Sequence, residues 1–259
     1  MPFLKEMKKI PRSEILETMS KKKGLRHAIF NTVGDRYIGE WKEDEKTGKG
    51  ALLTRYRPKR ERQLYEGDFE RGFRHGFGVL AYENEDHVFL LEYRGNWKRG
   101  RMNGFGLRRY RDGGVYIGNW KHGKRDGYGL MWYPNGEFYA GDWVKDKRQG
   151  LGMLIRPDTS RYEGCWYEDM KHGKGIFLHL VTGQKQQGVW TRDVCVFCTF
   201  KDIRYRQSVR RPTKYPIHLV KLVGIDELCE TWQMKALQEI VQSCLTLHKS
   251  LSSEINQIP

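Results

Sequence analysis

Cys195-Val196-Phe197-Cys198 has the spacing of a redox dithiol or of half a zinc site. A zinc site needs a second pair, and none stands nearby. Apolar residues surround this one, so it reads as structural. His75 and His172 could each bind a metal or move a proton. They occupy a place that Asn103 and Asp126 fill elsewhere in a recurring frame, so they read as interchangeable polar residues beside turns. Cys165 stands where other copies carry polar strand residues and reads as an exposed thiol without a role. Paired glycines at 48/50, 76/78, 104/106, 127/129, 150/152 and 173/175 suggest a phosphate loop, but each pair runs into apolar residues, not into a helix. No Walker pattern, nucleophile elbow or convincing carboxylate pair is present. The expectation is therefore no catalytic residue, no metal ligand, no cofactor and no enzyme.

The chemistry that remains is aromatic. The frame Tyr-x-Gly-x-Trp, six residues, Gly-x-Gly begins at Tyr37, Tyr65, Tyr93, Tyr116, Tyr139 and Tyr162. Its fifth position is Trp41, Phe69, Trp97, Trp120, Trp143 and Trp166. The starting tyrosines are 28, 28, 23, 23 and 23 residues apart, which gives a 23-residue unit with five-residue insertions in the first two copies. A seventh copy has decayed: Gly188 and Trp190 keep the frame, while Gln186 replaces the tyrosine.

The elements that position these rings follow from a period of two. Positions one, three and five share one face of a strand, and the polar residues between them face water. The eighth position is always Gly or Asp (Asp44, Gly72, Gly100, Gly123, Asp146, Asp169), which predicts a turn residue at positive φ. Asp112-Gly113, Asn135-Gly136 or Pro157-Asp158 then supplies a second turn. Each repeat is thus a β-hairpin. The predicted fold is an all-β repeat array, its stacked hairpins forming an elongated, twisted, single-layer antiparallel sheet of about twelve strands, followed by a C-terminal α-helix. Glycines such as Gly104 and Gly127 are expected to lie beneath the rings. A one-layer sheet is not expected to bury those rings fully. Tyr65, Phe69, Tyr93, Trp97, Tyr116, Trp120, Tyr139, Trp143, Tyr162 and Trp166 are therefore the candidate partner-binding residues, forming a groove for a helix or peptide of a partner protein.

The frame resembles the MORN repeat, over roughly residues 34–190. Gly34-Asp35-Arg36-Tyr37-Ile38-Gly39-Glu40-Trp41, Arg161-Tyr162-Glu163-Gly164-Cys165-Trp166 and Tyr215-Pro216-Ile217 are similar to one group within that family. The resemblance implies a cytoplasmic scaffold or adaptor. It also implies a setting in the axoneme of a cilium or flagellum, or in the acrosome during sperm development.

Composition agrees with a thin array: 38% of the 259 residues are hydrophobic and 31% charged, polar for a globular core. The chain divides into a basic N-terminal arm (1–33), the repeat array (34–200), a basic linker (201–224) and a C-terminal amphipathic helix (225–259). The helix carries the stripe Met234, Leu237, Val241, Cys244, His248, Leu251 and Ile255. The net charge is +15. Residues 1–26 contribute +5 and residues 201–221 contribute +6, so the array is expected to lie close to charge balance. That places any contact with acidic phospholipids, the alternative reading as a peripheral membrane adaptor, on the basic flanks. It also disfavours nucleic acid, which expects positive charge beside the rings. Homodimerisation through array edges or the terminal helix stays open.

Overall fold

The structure, a computed structural model, describes residues 21–56, 61–179 and 182–202. The described residues form one antiparallel sheet of fifteen strands in strict sequence order. These are β1 (Gly24–Phe30), β2 (Arg36–Lys42), β3 (Glu45–Tyr56), β4 (Glu61–Glu70), β5 (Phe73–Glu83), β6 (Phe89–Lys98), β7 (Arg101–Arg109) and β8 (Val115–Lys121). They continue as β9 (Lys124–Trp132), β10 (Phe138–Val144), β11 (Lys147–Ile155), β12 (Arg161–Tyr167), β13 (Met170–His179), β14 (Gln184–Thr191) and β15 (Val194–Asp202). The six repeats supply β2–β13. The sheet exceeds the twelve strands expected because the decayed seventh copy still pairs as β14–β15. Gly24–Phe30, placed in the N-terminal arm by sequence, adds a strand against β2. The C-terminal helix expected over 225–259 lies outside the described residues, as do residues 1–20 and 203–224.

Within each repeat the hairpin closes on two residues, both at positive φ. Examples are Arg99 (48°) with Gly100 (77°), and Lys145 (49°) with Asp146 (74°). This is the type I′ turn, whose twist suits antiparallel strands. The five-residue insertions of the first two repeats lengthen β3–β6 and their connections instead of bulging sideways, as Arg55 pairs with Arg62 and Tyr82 with Leu90.

A β-bulge recurs at the Tyr-x-Gly-x-Trp segment. In β6–β7, Gly95 faces Gly106 and Trp97 faces Met102, so two residues on β6 span four on β7. The two glycines of Gly-x-Gly therefore differ, correcting the expectation that both underlie a ring. Gly104 sits at φ +82°, and a Cβ there would meet Asn96; Gly106 is the one beneath Tyr93, whose hydroxyl would lie 2.4 Å from an added Cβ.

Candidate partner-binding face

The tyrosine of each repeat lies over two glycines that face each other across neighbouring strands, Gly95 and Gly106 under Tyr93. It donates its hydroxyl to the backbone carbonyl three residues on: Tyr65 to Asp68 (3.0 Å), Tyr93 to Asn96 (2.9 Å), Tyr116 to Asn119 (3.0 Å). It meets the ring at position five of its own repeat edge-on, and that of the next repeat the same way. Tyr93 is 5.1 Å from Trp97 and 5.6 Å from Trp120; Tyr116 is 5.1 Å from Trp120 and 5.7 Å from Trp143. Thirteen rings from Trp41 to Trp190 form one unbroken zigzag of T-shaped contacts. Each such pair contributes about 0.5–1.5 kcal/mol beyond its buried area. Indole N–H groups tie the repeats together: Trp97 donates to the Gly78 carbonyl, Trp120 to Gly106, Trp143 to Gly129 and Trp166 to Gly152, at 3.2–3.4 Å.

The structure brings all ten sequence-nominated residues into this row, but it does not leave them open. Tyr65, Phe69, Tyr93, Trp97, Tyr116, Trp120, Tyr139, Trp143, Tyr162 and Trp166 are 0–5% exposed. The expectation that one layer cannot bury its rings overlooked three coverings. Rings seal one another along the row, glycines admit them from below, and a line of long side chains lies on top. Burial pushes the tyrosine hydroxyls Tyr37, Tyr65, Tyr93, Tyr116, Tyr139 and Tyr162 well above their ordinary pKa.

That line is what sequence reading missed. Five residues after the ring at position five stand Lys46, Arg74, Met102, Arg125, Arg148 and Lys171. Arg74 lies 5.0 Å from the Tyr65 ring and 5.3 Å from Trp97; Arg125 lies 4.0 Å from Trp143; Arg148 lies 4.4 Å from Trp166. Lys46 covers Tyr37 and Lys171 covers Tyr162. Cation–π attraction holds them there. Where the turn residue of the next hairpin is Asp, the cation is latched. Asp146 accepts from the Arg125 backbone N–H (2.9 Å) and from Nε (3.2 Å), while Arg125 Nη2 reaches the Asp146 carbonyl (2.9 Å). Asp169 holds Arg148 the same way. Where that turn residue is Gly72 or Gly100, only the backbone bond remains, to the carbonyls of Lys46 and Arg74. Neither Lys46 nor Arg74 has a carboxylate within ion-pair reach among the described residues. Burial pulls both below their ordinary pKa.

The near-neutral array expected from the flanking charges is also corrected. Residues 27–200 hold 30 Lys/Arg against 23 Asp/Glu, since the acidic residues beyond 221 offset part of the total. Positive charge does lie beside the rings, though rings this deeply buried offer no face on which a base could stack. Of the basic flanks proposed for phospholipid contact, only 21–26 and 201–202 are described.

The remaining candidates are undistinguished. Cys165, Cys195 and Cys198 are free thiols. Desolvation first, and Cys198 second, push the Cys195 thiol up, away from a reactive thiolate. His75 pairs with Glu70 at 3.0 Å, and His172 lies against Tyr167. No cluster of His, Cys, Asp and Glu among the described residues has the makings of a metal site.

Comparison with known proteins agrees with the frame. The MORN repeat family model matches residues 37–53, 65–87, 93–115, 116–138, 139–161 and 162–178. The chain is similar to MORN repeat-containing protein 3 of Xenopus laevis, 38% identical over 87 residues, which cover 33% of this chain and 35% of that protein. It is also similar to MORN repeat-containing protein 3 of Bos taurus, 43% identical over 51 residues, covering 19% and 21% respectively. The matched stretches thus span about a third or less of the relatives' own length.

Proposed function

This chain is a MORN-repeat protein, and from that premise we propose that it is a non-enzymatic scaffold that holds partner proteins on its aromatic face. The rings set the shape of the floor, and the overlying basic residues make the contact. One observation carries the reading: Lys46 and Arg74 sit partly buried on aromatic rings with no carboxylate in ion-pair contact among the described residues, Asp35 and Glu92 acting on them only from beyond that reach. A desolvated cation is costly unless something neutralises it, and a carboxylate from a partner would do so. The setting we propose is the axoneme of a cilium or flagellum, or the developing sperm acrosome. It rests on likeness to the MORN repeat-containing protein 3 group and on nothing in the geometry.

The test is a tagged pulldown from ciliated or spermatogenic tissue. It compares wild type with a Lys46→Gln/Arg74→Gln variant whose circular dichroism and melting temperature match. Specific proteins are expected to drop out of the variant's list. An unchanged list, with both variants folded, would overturn the reading.

A further inference from the structure

The opposite face of the sheet carries a second feature, independent of the aromatic face. The middle residue of Gly-x-Gly points there and is thrown outward by the bulge. In four successive repeats it is Phe77, Phe105, Tyr128 and Leu151, which are 45%, 59%, 58% and 66% exposed. The bulge is pinned by the residue at position four: Asp68 Oδ2 accepts the Phe77 N–H (3.1 Å), Asp142 Oδ2 accepts the Leu151 N–H (3.3 Å), and Asn119 Nδ2 donates to the Tyr128 carbonyl (3.2 Å). Four large apolar side chains are thus held in water, in register, on rigid backbone. Asn96, Asn119 and Asp142 stand between them on the intervening strands. The row thus presents regularly spaced apolar anchors with polar residues between, and exposed apolar side chains in such an array mark an interaction surface.

We propose that this outer face is a second docking surface, shaped for one basic amphipathic helix of a partner protein lying across the strands. Pitch is the first argument. Row members are two strands apart, about 9.6 Å at the usual strand spacing. Seven residues of α-helix rise about 10.5 Å, so apolar residues at heptad spacing meet successive row members. Length is the second. The same position one repeat beyond either end is Lys49 or Lys174, so the apolar row stops after three repeat spacings. That is about 29 Å, or roughly twenty helical residues.

Charge favours a basic partner. Glu66, Asp68, Asp126 and Asp142 border the row, against Arg94, stacked 5.5 Å from the Phe77 ring, and the lysines Lys49 and Lys174 at its two ends. Asp68 already meets Lys49, whereas Glu66, Asp126 and Asp142 have no ion pair among the described residues. Glu66 is partly buried, and burial raises its carboxyl pKa. A partner's lysine or arginine would neutralise it. The face continues past the row into a shallow trough of about 510 Å³, lined in part by Glu163, Ile176, Val189 and Phe197. Two docking faces would let one sheet hold two partners at once.

The test uses the full chain and a labelled synthetic helix of about twenty residues, with leucine at every seventh position and lysines beside it, followed by fluorescence anisotropy. Saturable binding is expected, weakened about tenfold or more by Phe105→Ser/Tyr128→Ser, as truncating hot-spot side chains does. Both residues are exposed, so the variant's melting temperature should match wild type. Glu66→Gln should weaken binding at neutral pH, and a peptide with glutamates for lysines should not bind. Lys46→Gln/Arg74→Gln should bind like wild type, which separates this surface from the aromatic face. Equal binding by Phe105→Ser/Tyr128→Ser, or by the acidic peptide, would overturn the proposal. So would self-association of the wild type that this variant abolishes, or peptide binding that appears only after residues 1–20 are deleted. Those last two results would assign the face to a second copy or to the chain's own arm.

Discussion

At Gly106 an added Cβ would lie 2.4 Å from the Tyr93 hydroxyl and 2.6 Å from a ring carbon, distances that real structures do not sustain. At Gly104 the nearest neighbour would be the Asn96 side chain at 3.2 Å, and the constraint is φ +82°. The two glycines should therefore respond differently. Gly106→Val should cost about 3 kcal/mol or more through overpacking, while Gly104→Ala should cost roughly 1–2 kcal/mol from the left-handed backbone alone; urea unfolding of the two variants checks the order. The spacing of Tyr, Gly and Trp made the ring row legible in the sequence. It could not separate a glycine needed for room from one needed for backbone angle, because both are simply glycine. The tyrosines make a second prediction. Their folded pKa is raised, so the stability they contribute is complete below the unfolded value of about 10 and is lost as pH rises above it. Absorbance at 295 nm should show Tyr37, Tyr65, Tyr93, Tyr116, Tyr139 and Tyr162 ionising together with alkaline unfolding, not before it.

Between hairpins the unit of stability is the latch from a cation to the next turn. Arg125 with Asp146 repeats as Arg148 with Asp169, while Met102 faces Gly123. A double-mutant cycle should therefore show that Asp146→Gly costs more with Arg125 present than with Arg125→Met, by about 1 kcal/mol. Zero coupling would mean the latch is decorative. A different device holds the lengthened hairpins. Glu83 is buried between Arg62 and His87, and the Arg62 guanidinium holds its carboxyl down to about 2. With a depressed folded pKa, its stabilisation is present above the unfolded value and lost as pH falls through about 2, so Glu83→Gln should flatten acid unfolding in that window. Turn chemistry was readable from the sequence: every eighth position expected at positive φ has it. The cation line was not. Position ten varies among Lys, Arg and Met, and its meaning appears only when strand alternation puts it over the rings. Strand β1 was equally hidden, since Gly24-Leu25-Arg26-His27-Ala28-Ile29-Phe30 carries no trace of the frame and is recruited by the open edge of β2.

Across the whole sheet, each strand pairs only with its neighbours in sequence. Stability is then a sum of repeats and their interfaces. Deleting residues 116–138 should leave a folded array with a lower melting temperature, since the junction recreates a Tyr-on-Trp contact. Deleting a single strand should disrupt it, because the next strand would run the wrong way. At this scale net charge misled. The sum over the flanks hid a basic line on one face and a mainly acidic border on the other, because a sum over sequence does not know which side of a strand a residue faces. The strict strand order has a mechanical consequence as well. Tension applied between β1 and β15 pulls across the strands, so it loads one ladder of hydrogen bonds at a time and peels hairpins off in succession. Such a sheet should yield at low force and take up slack stepwise, behaving as an extensible tether in whatever structure it spans, whereas pulling along the strands would have to shear a whole ladder at once.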